Sequence, residues 1–371
     1  MRLVRVVSNG YGEDLIAARI ISALNQGGNE FEAFPLVGNG PSYFDLGLIP
    51  KVTQTVLPSG GFLLRFRDLF LDIKAGLFMQ CQKQYRLLRG SPADFQLVVG
   101  DVYALFMATH RQDIPTIFFP TAKSERAIPH YAMEVAYIRK NAQVVFPRDK
   151  ETHERFIQKK IPSKYFGNPM FDAMCSSVPK GDPTTIAILP GSRREAVQNM
   201  VKILRVISKL ELRFNAQFVI SLPHHFGCPD LKAVVENQPW RLEEMNGAYS
   251  FKSVQSSLRL GISYEFFDVL QASSIVIGLA GTANEQAMHA GRPLISFIGC
   301  GPQSTKQRFK QQHKLIDGAD TKFIDSNDPD VVAKEISNYL NQKDWRWTPL
   351  SDHYQMASRS IADYLHQTWL Q

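Results

Sequence analysis

Thr184-Thr-Ile-Ala-Ile-Leu-Pro-Gly-Ser-Arg-Arg-Glu-Ala-Val-Gln-Asn-Met200 is the stretch that decides the fold. Ile186 to Leu189 is a short apolar, β-branched run of the kind buried on both faces of a parallel sheet. From about Glu195 the spacing becomes that of an amphipathic helix. The tight loop between them, Pro190-Gly191-Ser192-Arg193-Arg194, breaks the strand at Gly191 and is expected to open the helix at Ser192. Free backbone N–H groups at such a helix start are a common seat for phosphate in α/β proteins. Arg193 and Arg194 add guanidinium forks that match phosphate oxygens. An ordinary strand-to-helix turn with a solvated arginine pair would carry the same residues.

Outward from this stretch, strands and helices alternate along the chain. In the first half the strands are expected at Leu3 to Val7, Phe31 to Val37, Val52 to Leu57, Phe95 to Gly100, Thr116 to Phe119 and Ala142 to Phe146. In the second half they fall at Ile186 to Leu189, Gln217 to Leu222, Leu258 to Ile262, Ser274 to Gly278 and Pro293 to Phe297. Such alternation predicts two doubly wound parallel sheets of similar size, facing one cleft. The Pro- and Gly-punctuated segment from Phe166 to Pro183 is the linker candidate. The expected domains are residues 1–175 and 182–348, with a final helix, residues 349–371, packing back on the first.

The 371 residues carry a formal charge of +7, with 44% hydrophobic and 21% charged residues. That composition is globular and favours an acidic partner. The four cysteines, Cys81, Cys175, Cys228 and Cys300, have no metal-ligand or disulfide-framework spacing. The adjacent His224 and His225 lack a third ligand at helical spacing, so no metal site is expected. The cysteine usage makes a reducing cytoplasm the expected setting, and no apolar run is long enough to span a bilayer, with attachment to a membrane surface left open. Phe62 to Arg89 interleaves large apolar residues with cations, Arg65, Arg67 and Lys74 among them. Such a helix can lie on an anionic membrane surface or pack against a sheet.

A second loop of the same type, Leu279-Ala280-Gly281-Thr282-Ala283-Asn284-Glu285-Gln286, again follows a buried strand. Here Thr282 is a candidate helix cap, and Glu285 or Gln286 a candidate contact for a sugar hydroxyl. Together with Gly12-Glu13-Asp14, Val98-Val99-Gly100-Asp101, Phe166-Gly167-Asn168-Pro169 and Leu189-Pro190-Gly191-Ser192-Arg193, this loop resembles the lipid-A-disaccharide synthases. It is closer still to the group described as lipid-A-disaccharide synthase-related.

The resemblance covers nearly the whole chain. It implies a GT-B glycosyltransferase with an acceptor-binding first domain, a UDP-sugar donor bound by the second, and no cofactor or catalytic metal. Carried over, Gly191, Ser192, Arg193 and Arg194 would hold the donor pyrophosphate. Gly281, Thr282, Ala283, Glu285, Gln286 and Gln303 would line the donor pocket, and Asn9, Gly10, Tyr11 and Gly12 the acceptor side. Asp101 would be the general base, with Glu13 or Asp14 as substitutes and a plain helix N-cap as the other reading of Asp101. A lipid-linked acceptor at the membrane surface is implied, and nucleic acid is not. A UDP-sugar epimerase of the same architecture and a non-catalytic nucleotide-sugar binder stand as alternatives.

Overall fold

The computed structural model describes residues 2–25, 28–51, 77–172, 184–193, 195–316, 318–342 and 356–369. The expected strand at Val52 to Leu57, the cations Arg65, Arg67 and Lys74, and Arg194 lie outside the described residues. The chain forms two compact units, one running to Asp172 and rejoined by the C-terminal helix, the other lying between.

In the first unit, five parallel strands stand in the order β2-β1-β3-β4-β5. They are β1 (Leu3–Ser8), β2 (Glu30–Pro35), β3 (Phe95–Gly100), β4 (Thr116–Pro120) and β5 (Val144–Val145). Helices α1 (Tyr11–Leu24), α2 (Pro41–Phe44), α3 (Leu77–Gly90), α4 (Val102–Thr109), α5 (Ala132–Asn141) and α6 (Lys150–Gln158) connect and cover them. The alternation of side chains along a strand sends Val4, Val6, Phe95, Leu97 and Val99 to one face, under Ile16, Ile20 and Leu24 of α1. Val7 and Val98 point to the other, under Leu105 and Ala108 of α4. Both faces being covered, these strands are largely apolar, broken in β1 by the buried Arg5 and in β3 by the buried Gln96.

A last helix, which we label α13 (Ala357–Thr368), joins the α1 layer through Ile361, Ala362 and Leu365. Its start is held by Asp172, whose carboxylate accepts from the Ala357 and Ser358 amides at 2.8 and 2.7 Å. A carboxylate there satisfies free N–H groups and complements the helix dipole. The C-terminal helix thus packs on the first unit, as expected from the sequence.

The second unit is an eight-stranded sheet in the order β13-β12-β11-β6-β7-β10-β9-β8. Its strands are β6 (Thr184–Leu189), β7 (Ala216–Ser221), β8 (Trp240–Met245), β9 (Ala248–Ser253), β10 (Arg259–Ser263), β11 (Ile275–Gly278), β12 (Leu294–Phe297) and β13 (Thr321–Ile324). Its helices are α7 (Glu195–Ile207), α8 (Cys228–Val235), α9 (Phe266–Ala272), α10 (Thr282–His289), α11 (Lys306–Leu315) and α12 (Pro329–Asn341). Six strands are parallel, while β8 and β9 add an antiparallel ribbon on β10. The sequence reading missed that ribbon. Its turn is Asn246-Gly247, with φ of 52° and 77°, the two positive angles a two-residue hairpin requires. Glu243 and Glu244 on the outermost strand hide it from a search for buried apolar runs.

Candidate functional site

Ligands of parallel sheets gather beyond the C-terminal ends of the strands. In the first unit three loops meet there. Gly100 closes β3 with φ +155°, and a Cβ on it would lie 2.7 Å from the Asn9 Cβ and 3.2 Å from that of Ala104. The β1 and β3 loops therefore touch because residue 100 has no side chain. Asn9 hydrogen-bonds the Asp101 carboxylate. Thr121, just past β4, donates its amide to the Gly100 carbonyl at 3.0 Å and its hydroxyl to Glu13 Oε1 at 3.3 Å.

Asp101 caps α4, its Oδ1 accepting from the Ala104 amide at 3.0 Å. The N-cap reading is thus correct as structure, and it leaves room for chemistry. Burial raises the Asp101 pKa, against the hydrogen bonds from Ala104, Tyr103 and Asn9. A carboxylate so poised, at a strand end, fits an acid or base role.

Asp14 lies differently. Successive helix residues point about 100° apart, and that rotation leaves Glu13 half-exposed while Asp14 is 0% exposed. Ser8 Oγ donates to Asp14 Oδ1 at 2.5 Å and sits 2.6 Å from the Tyr43 hydroxyl. Among the described residues, Asp14 Oδ2 is buried with no hydrogen-bond partner. The Asp14 carboxylate, expected as a substitute base, is thus closed off from solvent. Burial above all, with the nearby Glu13 charge, lifts its pKa to about 8 against the Ser8 hydrogen bond.

An unfolded aspartate titrates near ~3.9, so between that value and about 8 the folded chain holds the extra proton. Its stability accordingly falls as pH rises through this window and levels off above it. Asp14→Asn cannot titrate. Urea melts should show the variant gaining on the wild type between acidic and mildly basic pH, and a difference independent of pH would show that Asp14 does not titrate there.

In the second unit the loop after β6 turns at Gly191, φ +110°, where a Cβ would meet no atom within 4 Å. Gly191 is therefore needed for its backbone angle and not for packing. Helix α7 opens at Glu195, later than the expected Ser192, after the Ala196 amide closes on the Arg193 carbonyl at 2.9 Å. His225, beyond β7, hydrogen-bonds the Ser192 main chain, while burial lowers the pKa of its ring. Among the described residues no group of His, Cys, Asp and Glu could hold a metal ion.

After β11 the expectation that Thr282 caps the helix fails. Gly281 is the N-cap, no side chain caps it, and Thr282 is the first helical residue. Gly281, Thr282 and Ala283 are half-exposed, whereas Glu285 and Gln286 are buried. Glu285 Oε1 pairs with Arg308 Nη2 at 3.2 Å, and Arg308 Nε donates to Gln303 Oε1 at 3.0 Å. Gln303 lies flush on Gly281, where a Cβ would come within 2.8 Å of its Oε1. Gln312 Nε2 donates to the Gly281 carbonyl at 2.9 Å. The sequence reading named Gln303 but missed Arg308 and Gln312. They lie on α11, a helix whose polar surface carries no local sign that it braces a loop.

Two Rossmann-like units, each a parallel sheet wound on both faces, with the last helix returned to the first unit, define a fold of the GT-B type. The solved structures that share it include a UDP-GlcNAc 2-epimerase from Methanocaldococcus jannaschii in complex with UDP-GlcNAc and UDP. It is 14% identical, with TM-score 0.58 over 99% of this chain and 100% of that one. MurG of Acinetobacter baumannii is 12% identical, with TM-score 0.56 over 99% and 100%. A glycotransferase of kitacinnamycin is 12% identical, with TM-score 0.59 over 99% and 98%. At these identities the likeness establishes the fold. No protein-family model matches the sequence, and no curated protein matches it either.

Proposed function

We propose that this chain is an enzyme acting on a UDP-sugar, with the second unit holding the nucleotide diphosphate and the first supplying the acid–base carboxylate. The observation that carries this reading is the pair of glycine-turned loops, Pro190–Arg193 and Ala280–Ala283, both following inner strands of one parallel sheet and both opening helices. Backbone N–H groups at Gly191, Ser192, Gly281 and Thr282, with the Arg193 guanidinium, make a set of donors suited to diphosphate oxygens. Arg194 would add charge, and Ala283, Gln303, Glu285 and Gln286 would shape or brace the pocket.

Of the two chemistries, epimerisation of the sugar is the better supported, because UDP-GlcNAc 2-epimerases recur among the similar structures. Inverting a sugar carbon requires a proton to leave and return, and Asp101 and Glu13 are our candidates for carrying it. The second reading is glycosyl transfer to a lipid-linked acceptor, as the lipid-A-disaccharide synthases imply. It is favoured by the Leu189–Arg193 and Gly281–Ala283 motifs and by the glycosyltransferase fold neighbour. There Asp101 would deprotonate the acceptor hydroxyl, with Asn9, Gly10, Tyr11 and Gly12 around it. Arg65, Arg67 and Lys74 would contact an anionic membrane, and Phe78 and Met79 of α3 are exposed.

Proton NMR of the protein with UDP-GlcNAc and no acceptor separates the readings. A second UDP-N-acetylhexosamine growing in identifies the epimerase. UDP release that requires an added lipid acceptor identifies the transferase. Binding with neither reaction overturns the enzyme reading. In the active case Asp101→Asn should slow turnover by roughly 10²- to 10⁴-fold with UDP affinity kept.

A further inference from the structure

We infer that Asn199 is a positioning residue that couples two loops of the second unit, so that the β6 loop and the β12 loop are ordered together. Asn199 sits on the second turn of α7 and is 1% exposed. Its Nδ2 donates to the Pro190 carbonyl at 2.9 Å and to the Cys300 carbonyl at 3.4 Å, and its Oδ1 accepts from the Cys300 amide at 2.7 Å. One planar amide thus ties two backbone segments that lie more than a hundred residues apart in sequence.

The residue type follows from the chemistry. The arrangement needs an acceptor for one N–H and donors for two carbonyls, which an amide alone supplies. An aspartate would set negative oxygen against the Pro190 and Cys300 carbonyls, and an aliphatic side chain would strand buried polar groups. Gly299 packs flush on this amide, where a Cβ would stand 2.8 Å from Asn199 Oδ1. Gly301 is likewise pressed on the start of α7, where a Cβ would lie 2.7 Å from the Glu195 side chain.

The β12 loop then passes the constraint onward. Ser304 Oγ donates to the Cys300 carbonyl at 2.9 Å. Gln303, next to it, lies on Gly281, and Arg308 joins Gln303 to Glu285. Residues 299–308 therefore form a crosspiece that lies against the second of the loops assigned to the diphosphate and is joined to the first through Asn199. The functional half of this inference rests on the proposed UDP-sugar reading.

Hydrogen exchange read by mass spectrometry, with UDP binding by calorimetry, tests it. Asn199→Ala should speed exchange at residues 191–193 and at 299–304 together, by about tenfold for the buried hydrogen bonds lost, and should weaken UDP binding by a similar factor. Faster exchange in one loop alone, or in neither, overturns the coupling. Both loops loosened with unchanged UDP affinity leaves the coupling standing and removes the diphosphate from these loops. Should wild-type protein not bind UDP, the functional reading fails while the exchange result still decides the coupling. Ser304→Ala is milder and guards against misfolding. It touches only the β12 loop, so unchanged exchange at 191–193 would overturn the joint.

Discussion

Gly100→Ala will destabilise the first unit by about 1–3 kcal/mol, the usual cost of forcing a methyl into a filled space. For a unit of this size that is a fall in Tm of roughly 2–12 °C, read by calorimetry. The new Cβ would stand 2.7 Å from Asn9 Cβ and 3.2 Å from Ala104 Cβ, on a backbone angle of +155° that side chains rarely adopt. Relief has to come from Asn9, because Ala104 belongs to α4 and its amide is bonded to Asp101. Moving Asn9 breaks its hydrogen bond to Asp101 and separates the β1 loop from the β3 loop. Activity should therefore fall further than stability, and kcat should suffer where UDP affinity does not. A melting point equal to the wild type's would mean that the two loops are not packed as described.

Arg193→Ala is expected to raise the Kd for UDP by roughly 10- to 100-fold, as a hydrogen bond to a charged group is worth about 1.5–3 kcal/mol. The fold should hold, since Arg193 is half-exposed in a loop and the β6 core beneath it is complete without it. Arg193→Lys should recover part of the loss, because an ammonium keeps the charge but not the planar fork. Affinity unchanged in the alanine variant would remove Arg193 from the diphosphate site. Affinity lost equally in alanine and lysine variants would point to bidentate contact.

Both results depend on features visible to different degrees in the sequence. The strands β1, β3, β6 and β11 were legible because burial on both faces favours mostly β-branched and apolar residues, and that demand is local. Gly191 and Gly281 were legible for a related reason: a break between a strand and a helix narrows the residues that fit. By contrast β8 and β9 were missed although Asn246-Gly247 marks their turn, since half-exposed edge strands mix charge with apolar residues. Thr282, expected as a cap, is the first helical residue, and Asp14, expected as a substitute base, lies on the first turn of α1 with its carboxylate buried. A helix start moved by one residue turns a side chain about 100°, enough to carry a carboxylate from the surface into the core.

By itself the sequence determined the two-sheet α/β architecture, the places where the chain breaks at strand ends, and the residue types gathered there. Only the tertiary structure decided which of those residues face outward and which are consumed as braces. Asp172 holding the start of α13, Asn199 joining Pro190 to Cys300, and Arg308 pairing with Glu285 each connect segments with no local sign of their partner. Secondary structure follows from nearest-neighbour periodicity. The partner of a buried polar group is set by whichever distant backbone the packing brings within about 3 Å, and that information is absent from any single stretch of chain.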